Sequence, residues 1–310
     1  MTDSVAVGTT VAVEVPATSA NLGPGFDCFG LALDWRERVE VEVIPDGVAV
    51  QVTGEGSDVL PRDETHLVLR CLRTGLTDLG VFAPGLALRG HNTIPHGRGL
   101  GSSSAAIVAG LVAARALAGR GPDPDWVLRH AVPIEGHPDN VAAAVHGGFV
   151  LAYGAGDQLR VASGRVHPEV RAAVVVPDVP VATKAARGLL PTSVPHADAA
   201  ADAGRSALLV HALAHDPALL LAGTEDWLHQ RYREPAMPAS YALVLRLREA
   251  GYAATISGAG PSVLVLGDAG GLANLDEHLD DGVRLYRLGI GTKACRVDVE
   301  SFDQTGTVLA

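Results

Sequence analysis

The chain has 310 residues, 47% of them hydrophobic, 19% charged and only 4% aromatic, a globular balance whose core must be assembled from Ala, Val and Leu. Acidic side chains number 35 against 24 basic ones, a formal net charge of −11 with no basic run, which excludes a nucleic-acid partner but leaves small anionic ligands open to a few placed arginines. Three cysteines (Cys28, Cys71 and Cys295), no basic-then-apolar leader and no apolar stretch of bilayer length predict a cytoplasmic protein with no disulfide framework and no membrane partner.

In chain order, Val11 to Pro16 reads as a strand that leads into a turn-rich loop, Ala17 to Gly25. Val39, Val41 and Val43 alternate with Glu40 and Glu42, the period of a half-buried strand. Val48 to Thr53 repeats the pattern after Asp46-Gly47, so the two predict a hairpin. Thr65 to Gly80 reads as a helix and Leu86 to Arg89 as a strand. The Gly-rich stretch Ile94 to Ser104 runs directly into an Ala-rich helix, Ala105 to Ala118, stopped by Gly119. Helical signal from Asp125 to Glu135 breaks at Gly136 and Pro138. A short helix, Val141 to Val145, and a closing hairpin, Gly148 to Tyr153 with Leu159 to Ala162, precede a linker at Val166 to Val170. The remainder predicts a strand at Ala172 to Val176, then helices at Ala199 to Ala214, Pro217 to Ala222 and Ala239 to Ala250. Strands follow at Ala253 to Ile256 and Ser262 to Leu266, a helix near Leu272 to Leu279, and strands at Val283 to Leu288 and Lys293 to Val299. Helices and strands are mixed rather than strictly alternated, which predicts an α+β fold.

The most informative stretch is Pro95-His96-Gly97-Arg98-Gly99-Leu100-Gly101-Ser102-Ser103-Ser104-Ala105. Three glycines at every second position let a backbone approach a ligand closely. The serines stand where they can cap the following helix, and the N–H groups and dipole of a helix start favour an anion. A serine hydroxyl is also a hard oxygen donor suited to Mg²⁺. A plain Gly-rich connection is the competing reading, and the unbroken run of three Gly, three Ser and an Ala helix weighs against it. No Gly-Lys-Ser/Thr follows, so the loop is not a Walker A motif, and its glycine spacing is not the Rossmann fingerprint.

This loop resembles the central motif of the GHMP kinases. The resemblance implies ATP and Mg²⁺ as cofactors, with Pro95 to Ala105 wrapped around the phosphates and the metal held by Ser103 or its neighbour Ser104. Arg98, larger than the usual small residue, either adds a charge contact to ATP or faces solvent. Pro16-Ala17-Thr18-Ser19-Ala20-Asn21-Leu22-Gly23-Pro24-Gly25-Phe26-Asp27 resembles the family's first motif in its homoserine kinase form, with Asn21 and Asp27 offered to a polar substrate. An Asx-turn or cap is the alternative there. Glu135-Gly136-His137-Pro138-Asp139-Asn140 puts two carboxylates and an amide on one turn. By resemblance Glu135 is the second metal ligand, and Asp139 and Asn140 lie at the substrate hydroxyl. Thr255-Ile256-Ser257-Gly258-Ala259-Gly260-Pro261-Ser262 resembles the third motif, which backs the phosphate loop, with Gly260 at the substrate.

Substrate choice rests on two further segments. Thr183-Lys184-Ala185-Ala186-Arg187 and His229-Gln230-Arg231-Tyr232-Arg233 resemble those carrying carboxylate-binding arginines, here Arg187 and Arg233, with Arg231 a rival to the latter. A guanidinium fork takes a carboxylate in two parallel bonds. With Asp27 for an ammonium, the set suits an α-amino acid. Thr183 is a candidate for a proton or hydrogen-bond role. His66 stands where relatives commonly carry Asn beside the adenosine. His211 and His215, four apart on a helix, lack a third metal ligand.

The resemblance implies the GHMP two-domain fold. Residues 1–168 would form a ribosomal protein S5 domain 2-like ATP-binding domain, and 169–310 a ferredoxin-like domain. The implied activity is transfer of the ATP γ-phosphoryl to the side-chain hydroxyl of L-homoserine, giving O-phospho-L-homoserine for threonine biosynthesis. A homodimer is compatible with it. Two alternatives stay open: a GHMP kinase for a sugar, mevalonate-like or shikimate acceptor, and a non-catalytic ligand-binding protein on the same fold.

Overall fold

The computed structural model describes residues 3–291, 294–302 and 308–309; the side chains of residues 157, 183, 184, 299–302 and 308–309 lie outside that description. The first stretch carries β1 (Asp3–Ser4), β2 (Thr10–Ala20), β3 (Phe29–Ile44), β4 (Gly47–Gly54), α1 (Leu67–Asp78), β5 (Val81–Phe82), β6 (Gly85–Asn92), α2 (Ser102–Leu117), α3 (Pro124–Glu135), α4 (Asp139–His146), β7 (Phe149–Tyr153) and β8 (Arg160–Gly164). The second carries β9 (Arg171–Pro177), α5 (Thr183–Gly188), α6 (His196–Ala214), α7 (Leu220–Gly223), α8 (Gln230–Arg233), α9 (Pro238–Glu249), β10 (Ala253–Ile256), β11 (Val263–Gly267), β12 (Val283–Leu288), β13 (Arg296–Phe302) and β14 (Val308–Leu309). This is the mixed α+β order that the sequence predicts. A single 3₁₀ turn, Leu275–His278, stands where a longer helix was expected.

The larger sheet runs β14-β13-β2-β3-β6-β4, with β7 on the other reach of β3 and β8 beyond it. Two expectations fail here for tertiary reasons. Ala17 to Ala20 continue β2 instead of opening a loop, because β3 reaches back to Phe29 and Thr18, Ser19 and Ala20 pair with Ala32, Leu31 and Gly30. The register shifts between Pro16 and Thr18, beside a residue that has no N–H to give the ladder. The predicted β3–β4 hairpin does not form either. β6 lies between the two strands, antiparallel to β3 and parallel to β4. Gly85 makes that insertion possible, since a Cβ on it would lie 2.5 Å from the Asp46 carbonyl carbon. Alternation identified both strands correctly but carries no information about partners.

Helices α1 to α4 cover one face of this sheet. α2 lies across β2, between α1 and α3, and its small residues permit close approach: a Cβ on Gly110 would sit 2.3 Å from the Val68 carbonyl oxygen. The second sheet, in the order β10-β11-β9-β12, is antiparallel. Along β9, Ala172, Val174 and Val176 face the main core, whereas Ala173 and Val175 face a second core with Leu243, Val244 and Leu247 of α9. Burial on both faces explains why this strand reads as an unbroken apolar run.

The last strands depart from the sequence division at residue 168. β13 returns to pair with β2, Arg296 opposite Glu14 and Glu300 opposite Thr10. We therefore propose the two-unit division for the chain up to β12 and assign β13 to the first sheet. The expected start of that strand, Lys293, lies outside the described residues, and the described strand begins at Arg296.

Candidate active site

The phosphate loop is held by contacts that only glycine permits. Gly97, Gly99 and Gly101 have φ of 64°, 73° and 69°, a region costly for side-chain-bearing residues. A Cβ on Gly99 would lie 2.2 Å from the Ser257 carbonyl oxygen, and one on Gly101 would lie 2.0 Å from Thr18 Oγ1. The Ser257 hydroxyl donates to the Gly99 carbonyl (2.6 Å) and lies 2.8 Å from that of Ser19. Thr18 N–H donates to the Leu100 carbonyl (3.0 Å) and Ser262 N–H to that of Arg98 (3.2 Å). The third motif thus clamps the loop from one side and β2 from the other.

α2 opens on Gly101, which has no side chain to cap it. The serines do not serve as caps. Ser103 and Ser104 hydroxyls both donate to Glu135 Oε1, at 2.8 and 2.7 Å. The amides that open the helix stay free of side-chain caps and form an anion seat. Ser103 is exposed on the cleft and Ser104 is buried.

Glu135 ends α3 and is followed by Gly136 at φ 91°, a left-handed C-cap that turns the chain toward α4. On that turn His137 Nδ1 donates to Asp139 Oδ1 (2.7 Å), and its Nε2 lies 3.9 Å from Glu135. Burial opposes the charged imidazole. The hydrogen bond and charge of Asp139, backed by Glu135, outweigh it and raise the His137 pKa. Asp139 is buried and also accepts from Asn140 N–H (2.7 Å), and Asn140 Oδ1 accepts from the Thr18 hydroxyl (2.8 Å).

Across the cleft, Asn21, Leu22 and Asp27 all have positive φ (68°, 52° and 54°). Asn21 spends its amide on bracing: Nδ2 donates to the Gly258 carbonyl (3.0 Å) and Oδ1 accepts from Asp27 N–H (3.0 Å). Arg187 binds Asp27 through both fork nitrogens, at 2.8 and 2.7 Å. Arg233, 2% exposed, donates to His229 Nδ1 and to the Gly258 carbonyl, both at 3.1 Å, while its Nε has no partner. Burial lowers the His229 pKa against the opposing charge of Asp226, which favours the neutral ring. Its Nε2–H donates to the Gly23 carbonyl (2.8 Å), which leaves Nδ1 to accept from Arg233. The Phe26 ring lies 5.4 Å from each guanidinium carbon.

These groups line one cleft with about 530 Å³ of open space, bounded by the phosphate loop, Glu135 to Asn140, Asp27, Arg187 and Arg233. Ser102 and Ser103 also edge a second, more apolar depression of about 800 Å³, walled by Val39, Val52, Leu60 and Leu88. Three titratable groups face it, Glu37, His66 and His96. Burial pushes Glu37 up to about 7 and, with His96 nearby, lowers His66. Neither ring nitrogen of His66 has a partner.

Several expected residues lie elsewhere. Gly260 packs on Met237 and Gly99, and Gly258 and Ala259 line the cleft in its place. Arg98 is half-buried and lines neither depression: its guanidinium donates to the carbonyls of Pro177 (2.9 Å), His96 (3.1 Å) and Asp178. Arg231 pairs with Asp198 and lines a separate depression with Trp227 and Tyr241. Thr183 opens α5, but its side chain lies outside the described residues.

A family profile described as GHMP kinases N terminal domain matches residues 66–148, and one described as GHMP kinases C terminal matches residues 207–279. Homoserine kinases of Streptomyces avermitilis and Streptomyces coelicolor are each 52% identical over 290 residues. The aligned part is 93% of this chain and 95% and 94% of theirs. The chain belongs to the GHMP kinase family. The crystal structure of homoserine kinase from Cytophaga hutchinsonii superposes with a TM-score of 0.83 at 28% identity, covering 93% of this GHMP kinase and 97% of that chain. Asp27 and Arg187 lie outside both profile matches, yet both line this kinase's cleft. The reading by motif gave no role to His137, Thr18, His229 or Phe26. Only His137 carries a local signal, an acid two residues to either side.

Proposed function

We propose that this kinase transfers the γ-phosphoryl group of ATP to the side-chain hydroxyl of L-homoserine, giving O-phospho-L-homoserine and ADP on the route to threonine. The observation that carries the proposal is the shared cleft. An uncapped helix start, suited to phosphate, opens onto the same space as Asp27, Arg187 and Arg233, suited to an α-amino acid. No described helix is long and apolar enough to cross a membrane, and we assign the enzyme to the cytoplasm.

In this reading, amides of Gly97 to Ser104 hold the phosphates and the adjoining apolar depression takes the nucleoside. Among the described residues no three His, Cys, Asp or Glu side chains form a metal cluster. Ser103 and Glu135, however, present hard oxygens 2.8 Å apart beside the phosphate seat, a fit for an ion that takes its remaining ligands from phosphate and water. Mg²⁺ held there would supply neutralisation of the charge on the transferring group. Asn140, fixed by Thr18, and Asp139, fixed by His137, orient the acceptor hydroxyl. Arg187 and Arg233 bind the carboxylate and Asp27 the ammonium. Phosphoryl transfer depends mainly on positioning and charge, so no dedicated base is required.

An ADP-release assay over L-homoserine, galactose, mevalonate and shikimate tests this, with ³¹P NMR of the product. Homoserine-dependent release with a single phosphomonoester is the expected result. Release with another acceptor alone, or with none, would refute it.

A further inference from the structure

Asp27 and Arg187 are suited to opposite ends of an α-amino acid, yet in this structure they bind each other. The fork is bidentate, at 2.7 and 2.8 Å, and both side chains are about one-third exposed, at 32% and 38%. Resting on the acceptor reading above, we propose that this pair is a lock opened by partner exchange, which makes the kinase select acceptors carrying an ammonium and a carboxylate together.

The surrounding groups support an exchange. Arg233 lines the same cleft and makes both of its described hydrogen bonds through Nη1, so a carboxylate can meet the rest of its guanidinium before Arg187 is released. The Phe26 ring lies 5.4 Å from both guanidinium carbons and offers Arg187 one aromatic face in either state. Val181 N–H donates to the Gly97 carbonyl (3.0 Å), which ties the segment before α5 to the phosphate loop.

Charge balance then sets specificity. A zwitterion brings one charge of each sign, so Asp27 and Arg187 each lose one partner and gain another. An acceptor with only a carboxylate must take Arg187 from Asp27 and leave Asp27 unpaired in the cleft it shares with Asp139, whose charge also acts on Arg187. Unpaired groups in a site built for pairing cause strong rejection. Asp27 is thus a specificity-determining residue through what it withholds from incomplete substrates as well as through what it binds.

The test compares L-homoserine with 4-hydroxybutyrate, the same acceptor without its amino group, by kcat/KM in wild type and Asp27→Asn. Asparagine tolerates the positive φ of this position, and a thermal melt checks the fold. The expected result is a crossed change. Homoserine should fall by about 30-fold or more, as a charge-assisted contact is lost. 4-Hydroxybutyrate should rise about fivefold or more above wild type, as Arg187 is freed. A second measurement needs no variant. Methylammonium, but not tetramethylammonium at equal ionic strength, should raise wild-type turnover of 4-hydroxybutyrate by occupying Asp27. Loss of homoserine turnover without the 4-hydroxybutyrate gain, or no methylammonium effect, would overturn the lock while leaving the acceptor reading intact. Wild type inert toward homoserine would overturn the acceptor reading itself, and the lock with it.

Discussion

The two ends of the cleft are made of different materials. The phosphate end is backbone: three glycines in five residues and a helix start whose amides have no competing cap. The acceptor end is side-chain charge, brought together across 160 residues in the case of Asp27 and Arg187. Amide dipoles fixed in a loop cannot turn to quench one another, so that seat stands ready for an anion. Mobile charges can and do pair, so the acceptor seat is closed until a substrate offers an exchange. One end gains strength from rigidity, and the other gains selectivity from a self-satisfied resting state.

The largest effect should come from the junction of the two ends. Glu135→Ala should lower kcat by about 10³-fold, comparable with removal of a well-placed group stabilising transition-state charge. Ser103→Ala should follow closely. Ser104→Ala, at a buried hydroxyl bonded to the same carboxylate oxygen, should cost far less kcat. Steady-state kinetics at several Mg²⁺ concentrations check all three, and near-normal turnover by Glu135→Ala would place the metal elsewhere. At the acceptor end, Arg233→Lys should raise the homoserine KM by about 100-fold and leave that for ATP unchanged. Lysine keeps the charge but loses the planar guanidinium, whose Nη1 alone holds both His229 Nδ1 and the Gly258 carbonyl and so leaves the rest of the group for a carboxylate. A matching rise in the ATP KM would mean that the two ends are not separable.

A smaller effect tests whether the nucleotide side is free of misplaced charge. Glu37 is buried, and burial raises its pKa from an ordinary 4.5 to about 7. Between those values the folded chain holds a proton that the unfolded chain has released, so stability falls as pH rises through this window and levels off above it. The full shift corresponds to about 3 kcal/mol, and relaxation on ionising should reduce this to about 2 kcal/mol. Glu37→Gln should therefore stabilise the unliganded chain by that amount at pH 8 and leave it unchanged near pH 4. Urea melts at both pH values check this, and equal gains at the two would remove Glu37 as the titrating group.

The same contrast explains what was legible in the sequence. The phosphate loop and the Glu135 to Asn140 turn are contiguous, so residue type and spacing announce their chemistry. Asp27, Arg187 and Arg233 entered as substrate groups through family resemblance. Nothing local could reveal that the first two bind each other, because residues so far apart have no distance until the chain folds. The β3–β4 hairpin failed for that reason: the Asp46-Gly47 turn is local, but the insertion of β6 beneath Gly47 is not. Gly260, expected at the substrate, packs on Met237, whereas Gly258 of the same motif lines the cleft; which glycine faces it depends on Met237 behind the turn.

Arg98 gives the mildest and most discriminating test. It stands inside the phosphate loop, yet its bonds to the Pro177 and Asp178 carbonyls bind the loop to the end of β9, a third to the His96 carbonyl braces the loop itself, and the ligand seat is left to backbone amides. If the phosphate end is truly backbone-built, Arg98→Ala should leave the ATP KM within about threefold. The chain should lose only about 1 kcal/mol of stability, the scale of a partly solvated hydrogen-bonded side chain. A guanidinium that served ATP directly would instead raise the ATP KM by about tenfold or more on removal. Kinetics and a denaturant melt on the same preparation separate these outcomes. A large ATP effect without a stability change would mean that the seat borrows side-chain charge after all.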